Sequence, residues 1–264
     1  MTYCRYEHKG QISYGQVDDQ TIHQLDGAPW AGGAQTGIDV STSEVKLLHP
    51  SVPQVILGLG GSYKDTWKSN TAPKAVRWFL KPPGAAASPG DSVVIPQALD
   101  QIKVETELVI VIGEIVKDAD EATAKAAIFG FTIGNDIVGY IDSYHRLQGE
   151  PLDMDEDLLA PGLKVGDRFA PFGPFIHTGI DWRNRDRTLT LSNKNTGKNI
   201  EYSHNTTNLG YTPAKIVSDL SQILTLSPGD IIMTGTTKSF VAEAGDVVTI
   251  SIEGMGSLTN QITR

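Results

Sequence analysis

The chain has 264 residues, with 22 Lys+Arg against 31 Asp+Glu, 27 Gly, 14 Pro and one Cys. The formal charge of −9 argues against nucleic acid and anionic membrane as partners, because both require clustered cations. Cys4 has no second cysteine to pair with, no run of about 18 apolar residues exists, and the opening MTYCRYEHKG lacks a signal-peptide core, so the expectation is a soluble, cytoplasmic protein.

Residues 2–48 alternate β-type runs with turns: TYCRYEH, a KG turn, ISYGQV, a DD turn, then TIHQL before DG. This pattern predicts a small β-rich N-terminal domain over 1–50, separated by Pro50 and Pro53 from a larger domain over 51–264. After Pro53, VILGLG (55–60) reads as a buried strand opening into the polar loop GGSYKDTWKSN, and RWFLKPP (77–83) as a strand stopped by two prolines. VETELVIVIG (104–113) is a further strand. DADEATAKAAIFG, acidic at its start and closed by Gly130, predicts a short helix, and FTIGNDIVGYI returns to strand. Near the C-terminus, Thr212 and Pro213 occupy N-cap and N1 of a helix over TPAKIVSDLSQILTL, with Ile216, Val217, Leu220, Ile223 and Leu224 on one face. PGD at 89–91 and 228–230 and AGD at 244–246 each precede a β-branched run. The fold class expected is mostly β, of the α+β kind.

Glu105 and Glu107 are two residues apart in an apolar strand, so the period of 2.0 places both on one face. A wet strand edge explains that pair as well as a metal site does. Asp136, embedded in the apolar run GFTIGNDIVGY, is harder to leave without a partner. Three carboxylates offering only oxygen suit a hard cation such as Mg²⁺, Mn²⁺ or Ca²⁺.

Taken together, VETELVIVIG, IGNDIVG, KVGDRFAPFGPFI, GDIIMTGT and AGDVVTISIEGMGSLTN resemble, in order and spacing, the fumarylacetoacetate hydrolase superfamily over about residues 53–264. The resemblance implies a mixed β-sandwich roll preceded by a small β-rich domain, a homodimer, and one divalent metal on Glu105, Glu107 and Asp136. It also implies that Lys164, the lysine of KVGDRFAPFGP, holds an anionic substrate, and that Thr236, with Gly235 beside it in TGT, meets that substrate. By the same resemblance Tyr63 and Thr66, in the loop after the first core strand, and Tyr140 are expected as further substrate-binding positions.

Three departures from the family pattern bear on the reaction. Its hydrolases carry G-x-N-Y-x-x-H-x-x-E after the first core strand, where this chain has GGSYKDTWKSN; the His becomes Thr66 and the Glu becomes Ser69, neither of which is a competent base near neutral pH. An arginine common four residues after the metal-binding Asp is Tyr140 here, leaving Arg146 as the nearby alternative for a substrate carboxylate. TGT continues as TGTTKSF instead of with a proline and a glycine pair. Asp65 and His145 are candidate substitute bases, the acidic insert at 149–159 reads as a solvated loop or lid, and His8, His23, His49, His177 and His204 are assigned no role. The expected function is therefore metal-dependent enolate chemistry on a 2-oxo acid or 1,3-dicarbonyl substrate, namely decarboxylation, tautomerisation or isomerisation. The alternatives are C–C hydrolysis by an unrecognised base and a non-catalytic dicarbonyl-binding homologue.

Overall fold

The computed structural model describes residues 1–67, 71–73, 75–97, 99, 101–139 and 163–264. The N-terminal run forms β1 (Thr2–His8), β2 (Gln11–Asp18), β3 (Thr21–Leu25), β4 (Gln35–Ser41) and β5 (Lys46–Leu48). The remainder supplies β6 (Ile56–Gly60), β7 (Arg77–Lys81), β8 (Ala86–Ala87), β9 (Ser92–Val94), β10 (Ile102–Ile112), β11 (Ile128–Asn135), β12 (Val138–Gly139), β13 (Ala170–Pro171) and β14 (Phe175–His177). It continues with β15 (Asp186–Asn193), β16 (Lys198–Asn205), β17 (Ile231–Met233), β18 (Ser239–Ala242), β19 (Val247–Ile252) and β20 (Gly256–Thr263). Two α-helices accompany them among the described residues, α1 (Glu121–Ala126) and α2 (Pro213–Ser221).

The larger sheet runs β4-β3-β2-β1-β14-β11-β10-β17-β6-β7, and a second runs β16-β15-β19-β20-β9. The tight turns read from the sequence close the hairpins of β1 to β3, with Lys9 and Gly10 both at positive φ between β1 and β2. β1 also pairs with β14, so the N-terminal strands extend the main sheet while keeping a small core of Cys4, Tyr6, Ile22 and Val40. Burial pushes the Cys4 thiol up to about 12, which leaves it an unreactive core residue.

The helices follow their caps. Asp120 Oδ1 accepts from Thr123 N–H at 2.8 Å, and Thr212 Oγ1 accepts from Lys215 N–H at 3.1 Å. The second helix ends at Ser221, short of the predicted span, so Ile216, Val217 and Leu220 are buried but Ile223 is 59% exposed. The strand predicted through residues 131–141 is interrupted: β11 ends at Asn135, whose Oδ1 accepts from Glu105 N–H at 3.0 Å, and β12 resumes at Val138–Gly139.

β10 positions the site. On one side it pairs with β11 from Thr106↔Asn135 to Ile112↔Ile128. On the other, Ile102–Glu105 pair with β18 and Val109–Val111 with β17. Between those two partners β10 has no paired strand over 106–108; there Thr234 N–H donates to Leu108 O at 3.0 Å, at the start of the connecting residues Thr234–Lys238. The Glu-x-Glu segment therefore lies at a fork in the sheet, where carboxylates can face a loop without displacing core side chains.

Candidate metal centre and active site

Glu105, Glu107 and Asp136 each present a carboxylate oxygen to one point, all within 4.8 Å of one another. The period-2 argument holds: β10 sends Glu105 and Glu107 to the same side, and the end of β11 delivers Asp136 beside them. Glu107 and Asp136 are buried, whereas the Glu105 side chain keeps 16% exposure, which gives the cluster one open side. Glu107 Oε2 accepts from Gly235 N–H at 2.5 Å. Its Oε1 is buried with no hydrogen-bond partner among the described residues. Gly235 is held by geometry: its φ is +94°, and a Cβ there would strike Ser62 Oγ, which donates to Thr234 O.

Two lysines meet Asp136. Lys164 Nζ donates to Asp136 Oδ2 at 2.5 Å, lies 3.7 Å from Glu105 Oε2, and sits 4.6 Å from the Phe79 ring centre. Lys81, which the sequence reading passed over as the end of a strand before two prolines, is wholly buried with Nζ 2.7 Å from Asp136 Oδ1. Its three donors go to the carbonyls of Ile137 (2.8 Å), Lys164 (3.1 Å) and Phe169 (2.8 Å), so its contact with Asp136 is an ion pair without an aligned hydrogen bond. The only sequence sign of this role is a lysine directly after the apolar run WFL.

The charges decide what the cluster accepts. Three carboxylates and two ammonium groups sum to −1, and a dication would bring the site to +1, a balance suited to an anionic substrate. Burial, reinforced by Asp136 and Glu105, raises Glu107 well above the usual carboxylate range. Burial also raises Glu105 to about 7 against the opposing pull of Lys164. Asp136 is the opposite case: burial would raise it, but Lys81 and Lys164 together hold it below the ordinary value. An unpartnered buried oxygen, mutually repelling acids and an all-oxygen donor set fit a hard divalent cation.

A pH dependence follows. Glu105 and Glu107 must lose their protons to bind a cation, so metal affinity should climb from pH 6 to pH 8, by up to about tenfold per pH unit for each proton displaced. Titration calorimetry of Mn²⁺ in two buffers of different ionisation heat should reveal proton release at pH 7. Identical heats in both buffers would contradict this assignment.

The other predicted residues divide by position. Gly235 joins the cluster through its N–H, and Thr236, next to it, is half-buried with its hydroxyl donating to Lys238 O at 3.4 Å. Thr66 Oγ1 donates to Tyr63 O at 2.6 Å, which commits it to a local turn. Tyr63 is buried, its ring packed edge-on against His204 and under the Arg187 guanidinium. His204, left without a role by the sequence reading, pairs with Asp65: Nε2 to Oδ2 is 2.8 Å. Ser69, Tyr140, His145, Arg146 and the insert at 149–159 lie outside the described residues.

Comparison with known proteins agrees with this geometry. Residues 57–263 match the family described as fumarylacetoacetate (FAA) hydrolase C-terminal, and residues 1–50 match one described as Rv2993c-like, N-terminal. Protein Rv2993c of Mycobacterium tuberculosis is 32% identical over 255 residues, covering 95% of this chain and 91% of its own. The 4-hydroxyphenylacetate degradation bifunctional isomerase/decarboxylase of Salmonella dublin is 31% identical over 219 residues, covering 80% of this chain and 47% of that protein. Among solved structures, 5-carboxymethyl-2-hydroxymuconate delta-isomerase from Mycobacterium smegmatis superposes with a TM-score of 0.83 at 28% identity over the whole of both chains. No helix among the described residues is long and apolar enough to cross a membrane. With its carboxylate triad at the fork of β10 and the family match extending over most of its length, the chain belongs to the fumarylacetoacetate hydrolase family.

Proposed function

We propose that this protein is a divalent-cation-dependent enzyme that carries a 2-oxo acid or 1,3-dicarbonyl compound through an enolate, by decarboxylation, tautomerisation or isomerisation. The observation that carries the reading is the set of three carboxylates within 4.8 Å, one of them bearing an unpartnered buried oxygen. Glu105, Glu107 and Asp136 would hold Mg²⁺ or Mn²⁺, which supplies Lewis acidity for enolate charge.

The chain's own residues do the rest. Lys164, whose side chain keeps 11% exposure, is the ammonium that can reach a substrate oxygen from the Glu105 side. It retains its charge: burial disfavours the ammonium, but Asp136 and Glu105 outweigh it and raise its pKa. Lys81 has no exposure, so it serves Asp136 and the surrounding carbonyls and not the substrate. Thr236, next to the Gly235 that holds Glu107, would meet the substrate, and Tyr63 packs under the Arg187 guanidinium. Hydrolysis would need a group to activate water, and the positions of the family's His and Glu carry Thr66 and Ser69 instead. The Thr66 hydroxyl is committed to Tyr63 O, and both ring nitrogens of His204 are engaged, one by Arg187 and one by Asp65. The isomerase and decarboxylase activities named for two of the relatives belong to the same enolate chemistry.

Incubating the Mn²⁺-loaded protein with oxaloacetate and acylpyruvates in ¹⁸O-labelled water tests the reading. Carbon dioxide or a tautomer should form with no enzyme-dependent label in a cleaved acid. Labelled carboxylate in a cleavage product would mean hydrolysis instead.

A further inference from the structure

Arg187 is the largest wholly buried side chain among the described residues, and no carboxylate there lies within ion-pair distance of it. A buried guanidinium so placed costs several kcal/mol in desolvation; Nε has no hydrogen-bond partner among the described residues, and the partners of the two Nη groups are informative. Nη1 donates to Thr106 O at 3.0 Å and to Gly235 O at 3.1 Å. Thr106 lies between Glu105 and Glu107, and Gly235 is the residue whose N–H holds Glu107. One nitrogen thus ties the strand that carries two of the carboxylates to the turn that orients one of them. The guanidinium also lies over the Tyr63 ring, 4.4 Å from its centre.

The other end leads outward. Arg187 on β15 and His204 on β16 are register partners, and Nη2 lies 3.2 Å from His204 Nδ1. Guanidinium can only donate, so Nδ1 is the acceptor and the proton resides on Nε2, which donates to Asp65 Oδ2 at 2.8 Å. Asn208 Nδ2 donates to the same oxygen at 3.2 Å. With both ring nitrogens occupied, His204 is not free to take a proton from water.

We infer that Asp65, His204 and Arg187 form a positioning chain for the cation site: Asp65 fixes the His204 tautomer, His204 fixes the guanidinium, and the guanidinium sets the spacing between Thr106 and Gly235 on which Glu107 depends. All three act as positioning residues. The inference rests on the metal reading above, and it gives the loop that lacks the hydrolase His and Glu a different task, that of bracing the carboxylates from outside.

The test is Mn²⁺ affinity by calorimetry, with the Mn²⁺ electron paramagnetic resonance line shape as a second readout. His204→Leu should weaken binding about tenfold and alter the line shape, the scale expected when a group supporting a ligand is lost. His204→Gln, which can accept at one end and donate at the other, should restore affinity to within about twofold of the unaltered protein. Asp65 is half-exposed, so Asp65→Ala leaves the fold intact and should weaken binding about threefold. The double variant should be no weaker than His204→Leu alone, because links of one chain are not additive. Unchanged Mn²⁺ affinity in either single variant, or losses that add in full, would overturn the chain. Failure of the unaltered protein to bind Mn²⁺ would overturn the metal reading and this inference with it, whereas normal binding that ignores these substitutions overturns the inference alone.

Discussion

Glu107→Gln should abolish stoichiometric Mn²⁺ or Mg²⁺ binding, lowering affinity by at least about 100-fold, while leaving the metal-free protein as stable as before or more so. The two halves share one cause. Glu107 is buried among like charges, and its ionised form is disfavoured without a cation. A glutamine of the same shape still accepts from Gly235 N–H through its amide oxygen and replaces the unpartnered Oε1 with a donor facing the Asp136 and Glu105 oxygens. A carboxyl raised in the folded state binds protons that the unfolded chain has released, so its stabilising contribution is complete below the ordinary carboxylate pKa and disappears as pH rises through the folded value, about 7 for Glu105. Metal-free protein should therefore melt lower at pH 8 than at pH 6, and the drop should shrink in Glu107→Gln, which has one fewer buried acid to ionise. Calorimetry and melting curves at both pH values check it. A variant that still takes up one Mn²⁺ per chain would remove Glu107 from the ligand set.

The parts of this site that could be read from the sequence are those fixed by local geometry. Two glutamates at strand spacing share a face wherever the strand goes, and an acid in an apolar run needs a partner. The caps at Asp120 and Thr212 and the turns of β1 to β3 work over three or four residues and were legible for the same reason. Lys81 was not, because its burial depends on Asp136 arriving from the end of another strand and on carbonyls 56, 83 and 88 residues away. His204 and Asp65 are 139 residues apart, and only the pairing of β15 with β16 puts Arg187 next to His204. The overshoot of α2 arose differently: Ile223 and Leu224 continue the apolar stripe, but the helix ends at Ser221 and Ile223 N–H tightens to the i−3 carbonyl of Leu220. Periodicity records which face is apolar, not where the backbone stops using it.

Lys81→Met and Lys164→Met should separate the two cations that meet Asp136. Lys81 has no exposure, and removing it takes a buried donor from the carbonyls of Ile137, Lys164 and Phe169, of which Phe169 O keeps the Ile137 N–H, and leaves one side of Asp136 without a counter-charge. Breaking a buried pair from one side costs about 3–5 kcal/mol, and in a chain of this size that should lower the melting temperature by roughly 10 °C. Lys164 stands at the open edge of the cluster, against Phe79 and within reach of solvent, so a methionine there keeps the apolar contact and lets Asp136 retain Lys81. Its loss should be felt mainly in turnover, by about 10²–10³-fold, the scale of removing one donor aimed at developing negative charge. Metal binding should survive in Lys164→Met, because subtracting an ammonium from the carboxylate cluster makes the site more attractive to a dication. Melting curves, Mn²⁺ titration and turnover on the same preparations distinguish the roles. A Lys164→Met protein with full activity would sever Lys164 from the chemistry, and a Lys81→Met protein as stable as the parent would show that Asp136 does not depend on its buried partner.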